Sequence, residues 1–329
     1  MDANIQPNFL NDDFTKPKMS YWGQFGILLG LVIVGAILTG IMQFAILLSM
    51  IKFKDLLSTM GNETQLMNLM SKPENFTKVV LMQALGTFIM MAIPAYFFVK
   101  IVNGKVESYI GFKTKINIVQ VLLVIVIALV GLGLSGGLGE FTKVLPMSKS
   151  FRAMAERMEK TYETGVMMFV NMKTFGDYLF SMLMIAILPA VFEELLFRGA
   201  LQNLFVKWFK QHHIAILFTA ICFSLVHFSI MGFLSRMMLG MVLGYVYYYS
   251  KSIWLNMLMH FINNGIAVTA MYFAIKSGED ATKTINETYP LWLGGVTLII
   301  MIGLLMVYKK VCDKKNLSTN QFHHPINNF

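Results

Sequence analysis

Eight long apolar segments dominate the sequence and decide what the chain can fold into. A membrane-spanning helix needs about 20 mostly apolar residues, because backbone N–H and C=O groups in the hydrocarbon layer must be hydrogen-bonded within the segment. The composition agrees, since 56% of the residues are hydrophobic and 14% are charged. The sequence therefore predicts an all-α, polytopic membrane helix bundle with about eight transmembrane helices and a buried polar cavity. The predicted spans are residues 25–51, 79–102, 118–138, 178–198, 214–228, 233–249, 253–275 and 291–308.

The charge balance predicts where the chain resides. The formal net charge is +9, from 27 Lys and Arg against 18 Asp and Glu. In a soluble protein this excess would point to nucleic acid, but Lys and Arg also flank membrane helices on the cytoplasmic side. We therefore expect a multi-pass protein of the cell (plasma) membrane with both termini cytoplasmic, the lipid bilayer as a partner and no nucleic acid. Cys222 and Cys312 are the only cysteines, which implies neither a disulfide framework nor a thiolate metal site.

Four local features refine this outline. Pro94 predicts a kink in the second span. The glycine-rich residues 131–139 favour close helix packing or an early helix end. Residues 140–174 interleave charged residues with Met and Tyr, which predicts an amphipathic helix, either on the membrane or over a site mouth, or an ordinary solvated helix. Residues 201–213 form a short, basic segment, which we interpret as an interfacial helix that either continues or re-enters from the fourth span.

A cluster of three charged residues interrupts the fourth apolar segment. A charge at the centre of a membrane helix costs roughly 2.5 to 3.5 kcal/mol, so Glu193, Glu194 and Arg198 offset most of what the aliphatic neighbours contribute. Glu194 and Arg198 are four residues apart and can pair, whereas Glu193 lies about 100° around the helix. The spacing predicts that Arg198 neutralises Glu194 and leaves Glu193 free for proton transfer. A structural ion-pair network that fixes helix packing is the alternative.

Two later segments carry the remaining polar candidates. Phe223 and His227 end the fifth span, where a lone histidine is more simply a satisfied interfacial residue. His260 and Asn264 lie in the middle of the seventh span and project from one face because they are four residues apart. Their alternative role is hydrogen bonding between helices.

Taken in order, these residues resemble a known signature. Glu-Glu-x-x-x-Arg, Phe-x-x-x-His and His-x-x-x-Asn on successive spans resemble the CPBP intramembrane proteases, which include CAAX prenyl protease 2 (Rce1-like) and the bacterial Abi or lysostaphin-resistance-protein-like proteins. The matching positions are Glu193, Glu194, Arg198, Phe223, His227, His260 and Asn264.

The resemblance implies an intramembrane endopeptidase that hydrolyses a peptide bond at membrane depth. Glu193, assisted by His227, would activate water, and His260 and Asn264 would stabilise the oxyanion. Glu194, Arg198 and Phe223 would support the site. The implied partner is a peptide or protein substrate in or near the membrane. The chain then divides into residues 1–174, with the tail, three spans and the amphipathic connection; residues 175–275, the protease-like catalytic core; and residues 276–329, with the last span and a polar tail.

The metal requirement stays open at this point. Glu193, His227 and His260 could supply Zn²⁺ with three protein ligands and leave a position for water. The compact His-Glu-x-x-His helix of soluble zinc proteases is absent, and a glutamate-dependent mechanism without metal fits equally well. Two non-enzymatic hypotheses also remain. One is a membrane binding or immunity protein that uses the cavity to sequester a partner, and the other is a proton-coupled transporter, against which the lack of visible repeats speaks.

Overall fold

The computed structural model describes residues 19–55, 62–170, 172–285 and 289–321. Within these ranges the regular elements are all helical, which confirms the predicted all-α bundle. Six helices are long and apolar enough to cross a membrane, so the chain is an integral, multi-pass membrane protein. The helices are α1 (Tyr21–Leu48), α2 (Glu63–Met70), α3 (Pro73–Val102), α4 (Val106–Ile110), α5 (Ile118–Val144), α6 (Lys149–Met167), α7 (Phe175–Phe209), α8 (His212–Leu225), α9 (Phe233–Ser250), α10 (Ile253–Lys276), α11 (Thr282–Ile285) and α12 (Leu291–Gln321).

Each predicted span coincides with a helix, but the number of crossings is only approximately eight. The six candidate spans are α1, α3, α5, α7, α10 and α12. Helix α8 has 14 residues and is therefore about 21 Å long, shorter than a hydrocarbon layer of about 30 Å. Helix α9 has 18 residues and carries Arg236 in its first turn. Most of the predicted N-terminal tail and residues 322–329 lie outside the described ranges, and the division into three parts stays a prediction.

Residues 201–209 continue the helix of the fourth predicted span, which is one of the two alternatives that the sequence left for residues 201–213. Helix α7 runs through this region to Phe209 and ends where Lys210 adopts a positive φ of 54°. Leu204 and Phe205 are buried in the main apolar cluster, so packing extends the helix although the segment is basic. Helix α12 likewise continues beyond residue 308, the end of the last predicted span, to Gln321.

Both helices with an internal proline widen into a π-helical turn just before it. Phe88–Ala92 precedes Pro94 in α3, and Met182–Ile187 precedes Pro189 in α7. Proline has no N–H and its ring crowds the preceding turn, so a wider turn relieves the clash. The irregularity predicted at Pro94 therefore takes this form, and α7 contains a second π-helical segment, Leu195–Gln202, directly after the two glutamates.

The glycine-rich stretch permits close packing of α5 against α12. Helix α5 continues without interruption to Val144, which excludes an early helix end. A Cβ on Gly137 would lie 2.4 Å from the Cα of Gly294, a distance that real atoms do not tolerate. The two backbones therefore meet directly, as small residues allow in membrane helix pairs.

Candidate active site

A cavity of about 1240 Å³ lies between α5, α6, α7, α9 and α10. The side chains of Glu193, His227, His260 and Asn264 all line it. The amphipathic helix predicted within residues 140–174 is α6, and its charged residues line the cavity mouth. Of the alternatives for this segment, the structure supports a helix over a site mouth.

Glu194 is the centre of a buried hydrogen-bond network. Its Oε1 accepts from Arg198 Nη1 at 2.8 Å and from His260 Nδ1 at 2.8 Å, and its Oε2 accepts from Asn256 Nδ2 at 3.1 Å. Arg198 also donates to the Gly240 carbonyl at 3.1 Å. Glu194 and Arg198 have no exposed side-chain surface, so the pair expected from their spacing exists and is shielded from water.

Glu193 has the opposite environment although it is the next residue. Its Oε2 is buried and receives no hydrogen bond from the described residues. The nearest charged partner of that oxygen is His260 Nε2, at 3.9 Å, which is beyond hydrogen-bond distance. Glu194 thus accepts three hydrogen bonds from the protein, whereas Glu193 lines the cavity and its Oε2 accepts none from the described residues.

His227 lies in the turn after α8, and its ring orientation is fixed by the helix end. Its Nδ1 is 2.8 Å from the carbonyl oxygen of Phe223. A carbonyl only accepts, so Nδ1 carries the proton and Nε2 of the neutral ring is an acceptor. His227 therefore offers a lone pair at Nε2.

His260 is also oriented by a hydrogen bond at Nδ1, in this case to a carboxylate. The Glu194 carboxylate accepts from Nδ1, so the proton of a neutral ring resides there. Nε2, which faces Glu193, carries a hydrogen only when the ring is the charged imidazolium. Glu194 Oε1 lies 2.8 Å from Nδ1, and Glu193 Oε2 lies 3.9 Å from Nε2.

Phe223 packs against three of the polar residues. Its ring centroid is 4.7 Å from the Arg198 guanidinium carbon, 5.1 Å from the His227 ring and 5.9 Å from the His260 ring. The side chain is 2% exposed. The Phe223 ring therefore separates the Arg198 guanidinium from both histidine rings and excludes water from that side of the site.

Asn264 connects the seventh predicted span to the π-helical turn of α7. Its Nδ2 donates to the Ile185 carbonyl at 3.1 Å, four residues before Pro189, which has no N–H for that carbonyl. An amide NH₂ group has two N–H donors, so one remains for the cavity. The neighbouring Asn263 instead donates to the Met259 carbonyl of its own helix.

Sequence reasoning missed two residues of this region. Asn256 is fully buried and donates to both Glu194 and the Leu243 carbonyl. The signal was present, since Asn256, His260 and Asn264 recur every fourth residue on one face of α10. Arg236 also lines the cavity, but nothing in its local sequence marks it.

The residues proposed for zinc do not form a ligand set. Among the described residues, no three His, Cys, Asp or Glu side chains are grouped so as to hold a metal ion.

Comparison with known families gives one match. Residues 175–266 match the model described as type II CAAX prenyl endopeptidase Rce1-like. The matched part runs from the start of α7 into α10 and contains Glu193, Glu194, Arg198 and the later polar residues, in agreement with the resemblance drawn from the sequence. Neither a search of curated proteins nor a search of solved structures found a significant match.

Proposed function

We propose that the chain is a glutamate-dependent intramembrane protease that uses Glu193 as its general base, and the match of residues 175–266 to the Rce1-like endopeptidase model supports this proposal. The observation that carries this proposal is the contrast between two adjacent carboxylates in one cavity. Glu194 is saturated by Arg198, His260 and Asn256, whereas Glu193 has a buried oxygen with no donor among the described residues. Of the two, only Glu193 is placed to accept a proton from water.

Water activation uses two acceptors. The Glu193 carboxylate accepts one proton of a water molecule in the cavity, and His227 Nε2, made an acceptor by the Phe223 carbonyl, holds and orients that water. As Glu193 takes the proton, the hydroxide oxygen forms a bond to the carbonyl carbon of the substrate. The carbonyl π electrons move to its oxygen, which becomes an oxyanion.

The oxyanion is stabilised from α10. His260, as an imidazolium held through Nδ1 by Glu194, donates its Nε2 hydrogen, and Asn264 donates the N–H that does not bond to Ile185. Both donors are fixed before the substrate binds, so little reorganisation accompanies charge development. The C–N bond then breaks as the oxyanion re-forms the carbonyl, and the proton on Glu193 passes to the leaving amine. The products are a carboxylic acid and an amine.

Two further points of the proposal concern placement in the cell. The six candidate spans among the described residues, like the eight spans predicted from the sequence, are an even number, which supports our proposal that both termini lie on the same side of the membrane. The excess of Lys and Arg favours the cytoplasm for that side, and we propose the plasma membrane as the location. The substrate is a peptide or protein that reaches the cavity from the bilayer or its surface.

The proposal predicts a set of cellular cleavage products that depends on Glu193. We expect a proteomic comparison of membrane-protein termini to find new termini in cells with the wild-type chain and to lose them in cells with Glu193→Gln at equal abundance. A phenotype that the Glu193→Gln chain retains, with no difference in termini, would instead support a binding or immunity protein.

The proposal also predicts that metal chelation leaves turnover unchanged. Because the described residues form no metal-ligand group, we expect purified enzyme to keep its cleavage rate after incubation with 1,10-phenanthroline and dialysis. The non-chelating isomer 1,7-phenanthroline is the control for effects of the aromatic compound itself. Loss of activity with the chelator alone, restored by added Zn²⁺, would contradict a metal-free mechanism.

A further inference from the structure

Arg236 lines the cavity with a guanidinium that is not part of the buried Glu194 network. It lies in the first turn of α9 and lines the same cavity as Glu193, His227 and His260. It is close enough to Glu193 and His227 to interact electrostatically with both. Arg236 is thus a cation beside the proposed reaction centre, contributed by a helix that the proposed mechanism does not use.

Two neighbouring residues fix the position of the Arg236 guanidinium. Its Cζ lies 4.3 Å from the ring centroid of Tyr162 on α6. The guanidinium also packs closely against Gly232, where an added Cβ would be 2.0 Å from Arg236 Nη1 and 2.6 Å from its Cζ. A glycine before the helix and an aromatic ring on the covering helix therefore leave a slot in which the planar group fits.

One hydrogen-bond donor of this cation is unsatisfied. Nη1 of Arg236 is buried and has no hydrogen-bond partner among the described residues. In Arg198 the unpartnered donor is Nε, and both terminal nitrogens donate, Nη1 to Glu194 and Nη2 to the Gly240 carbonyl. Arg152, which also lines the cavity, donates from Nη2 to the carbonyls of Lys143 and Leu145. A buried N–H without a partner is destabilising, and an anionic ligand at the Arg236 guanidinium would offset that cost.

We propose that Arg236 binds a carboxylate of the substrate close to the cleaved bond and so selects acidic substrates. The inference rests on the proposed protease function and adds a substrate class to it. A guanidinium presents parallel N–H donors that match the two oxygens of a carboxylate, whereas an amide or hydroxyl can satisfy only one of them with a neutral acceptor. The carboxylate belongs either to an acidic side chain or to the chain terminus of the substrate.

Binding can be tested without cleavage. The Glu193→Gln protein in phosphatidylcholine nanodiscs is titrated, by fluorescence anisotropy, into fluorescein-labelled eight-residue peptides of leucine and alanine. Three forms are compared: a free terminal carboxylate, a terminal amide, and a terminal amide with one internal glutamate. We expect at least one acidic form to bind about 10- to 100-fold more tightly than the neutral amide, the range of a charge-assisted hydrogen bond. The form that gains identifies the source of the carboxylate.

Substitutions then assign the preference to Arg236. Arg236→Gln in the same background is expected to remove the preference for the acidic form, and Arg236→Lys to keep part of it. Arg152→Gln is the matched control, because it removes the same charge from the same cavity but from an arginine whose Nη2 already donates to two backbone carbonyls. Equal binding of all three peptides, absence of binding, or an equal loss for acidic and neutral forms in Arg236→Gln would overturn the proposal. Because the Glu193→Gln protein is used throughout, a failure here is independent of whether Glu193 catalyses hydrolysis.

Discussion

Replacing Glu193 with Gln is expected to reduce the hydrolysis rate of the purified protein by about 10²- to 10⁴-fold, the range for loss of a general base. Gln has nearly the same shape but cannot take a proton from water. Because Glu193 Oε2 accepts no hydrogen bond from the described residues, the substitution leaves none of their donors unsatisfied, and the protein should fold as the wild type does. The effect should therefore fall on kcat, with KM nearly unchanged.

The measurement is steady-state cleavage of a peptide that spans a site found in the comparison of membrane-protein termini. Glu156→Gln is the matched control, since Glu156 is another carboxylate that lines the cavity, but on α6, and we expect that variant to remain active. Combining Glu193→Gln with His227→Gln should lower the rate little beyond the single change, because both residues act on one water molecule. Wild-type turnover by the Glu193→Gln protein would remove Glu193 from the mechanism.

The sequence predicted those features that follow from local spacing and solvation. Apolar segments of sufficient length became helices because the hydrocarbon layer leaves the backbone no other partner. The pairing of Glu194 with Arg198 followed from their four-residue spacing on one helix. The same argument predicted that only Glu194 would pair with Arg198, since the side chains of adjacent helical residues point in directions about 100° apart.

Features that depend on contacts between distant segments could not be predicted in this way. The tautomer of His260 is set by Glu194, 66 residues earlier, and Asn264 is oriented by a carbonyl that Pro189 leaves without its usual donor. The sequence left open whether residues 201–213 continue α7 or re-enter from it, because the choice depends on burial of Leu204 and Phe205 against other helices. Arg236 was missed because only the packing of α9 under α6 brings it to Tyr162.

Glu194→Ala is expected to destabilise the protein by about 3 to 5 kcal/mol, the range for breaking a buried ion pair by removing one partner. The change removes the acceptor of Arg198, His260 and Asn256 at once, and leaves a fully buried guanidinium without its counter-charge. The measurement is the midpoint of thermal unfolding in detergent, which should fall markedly. Activity should fall as well, since His260 loses the group that holds its ring.

Two comparisons separate the effect of burial from the effect of the pair itself. Asp313→Ala breaks an ion pair of the same four-residue spacing, Lys309 with Asp313, whose side chains are about half exposed, and should change stability by only about 0 to 1 kcal/mol. The double substitution Glu194→Gln with Arg198→Met removes both charges and should recover much of the stability that Glu194→Ala loses, because no buried charge is left unpaired. Recovery of folding without recovery of cleavage would show that the pair is needed to orient His260. An unchanged unfolding midpoint in Glu194→Ala would mean that Arg198 finds another acceptor, and that the network does not hold the site together.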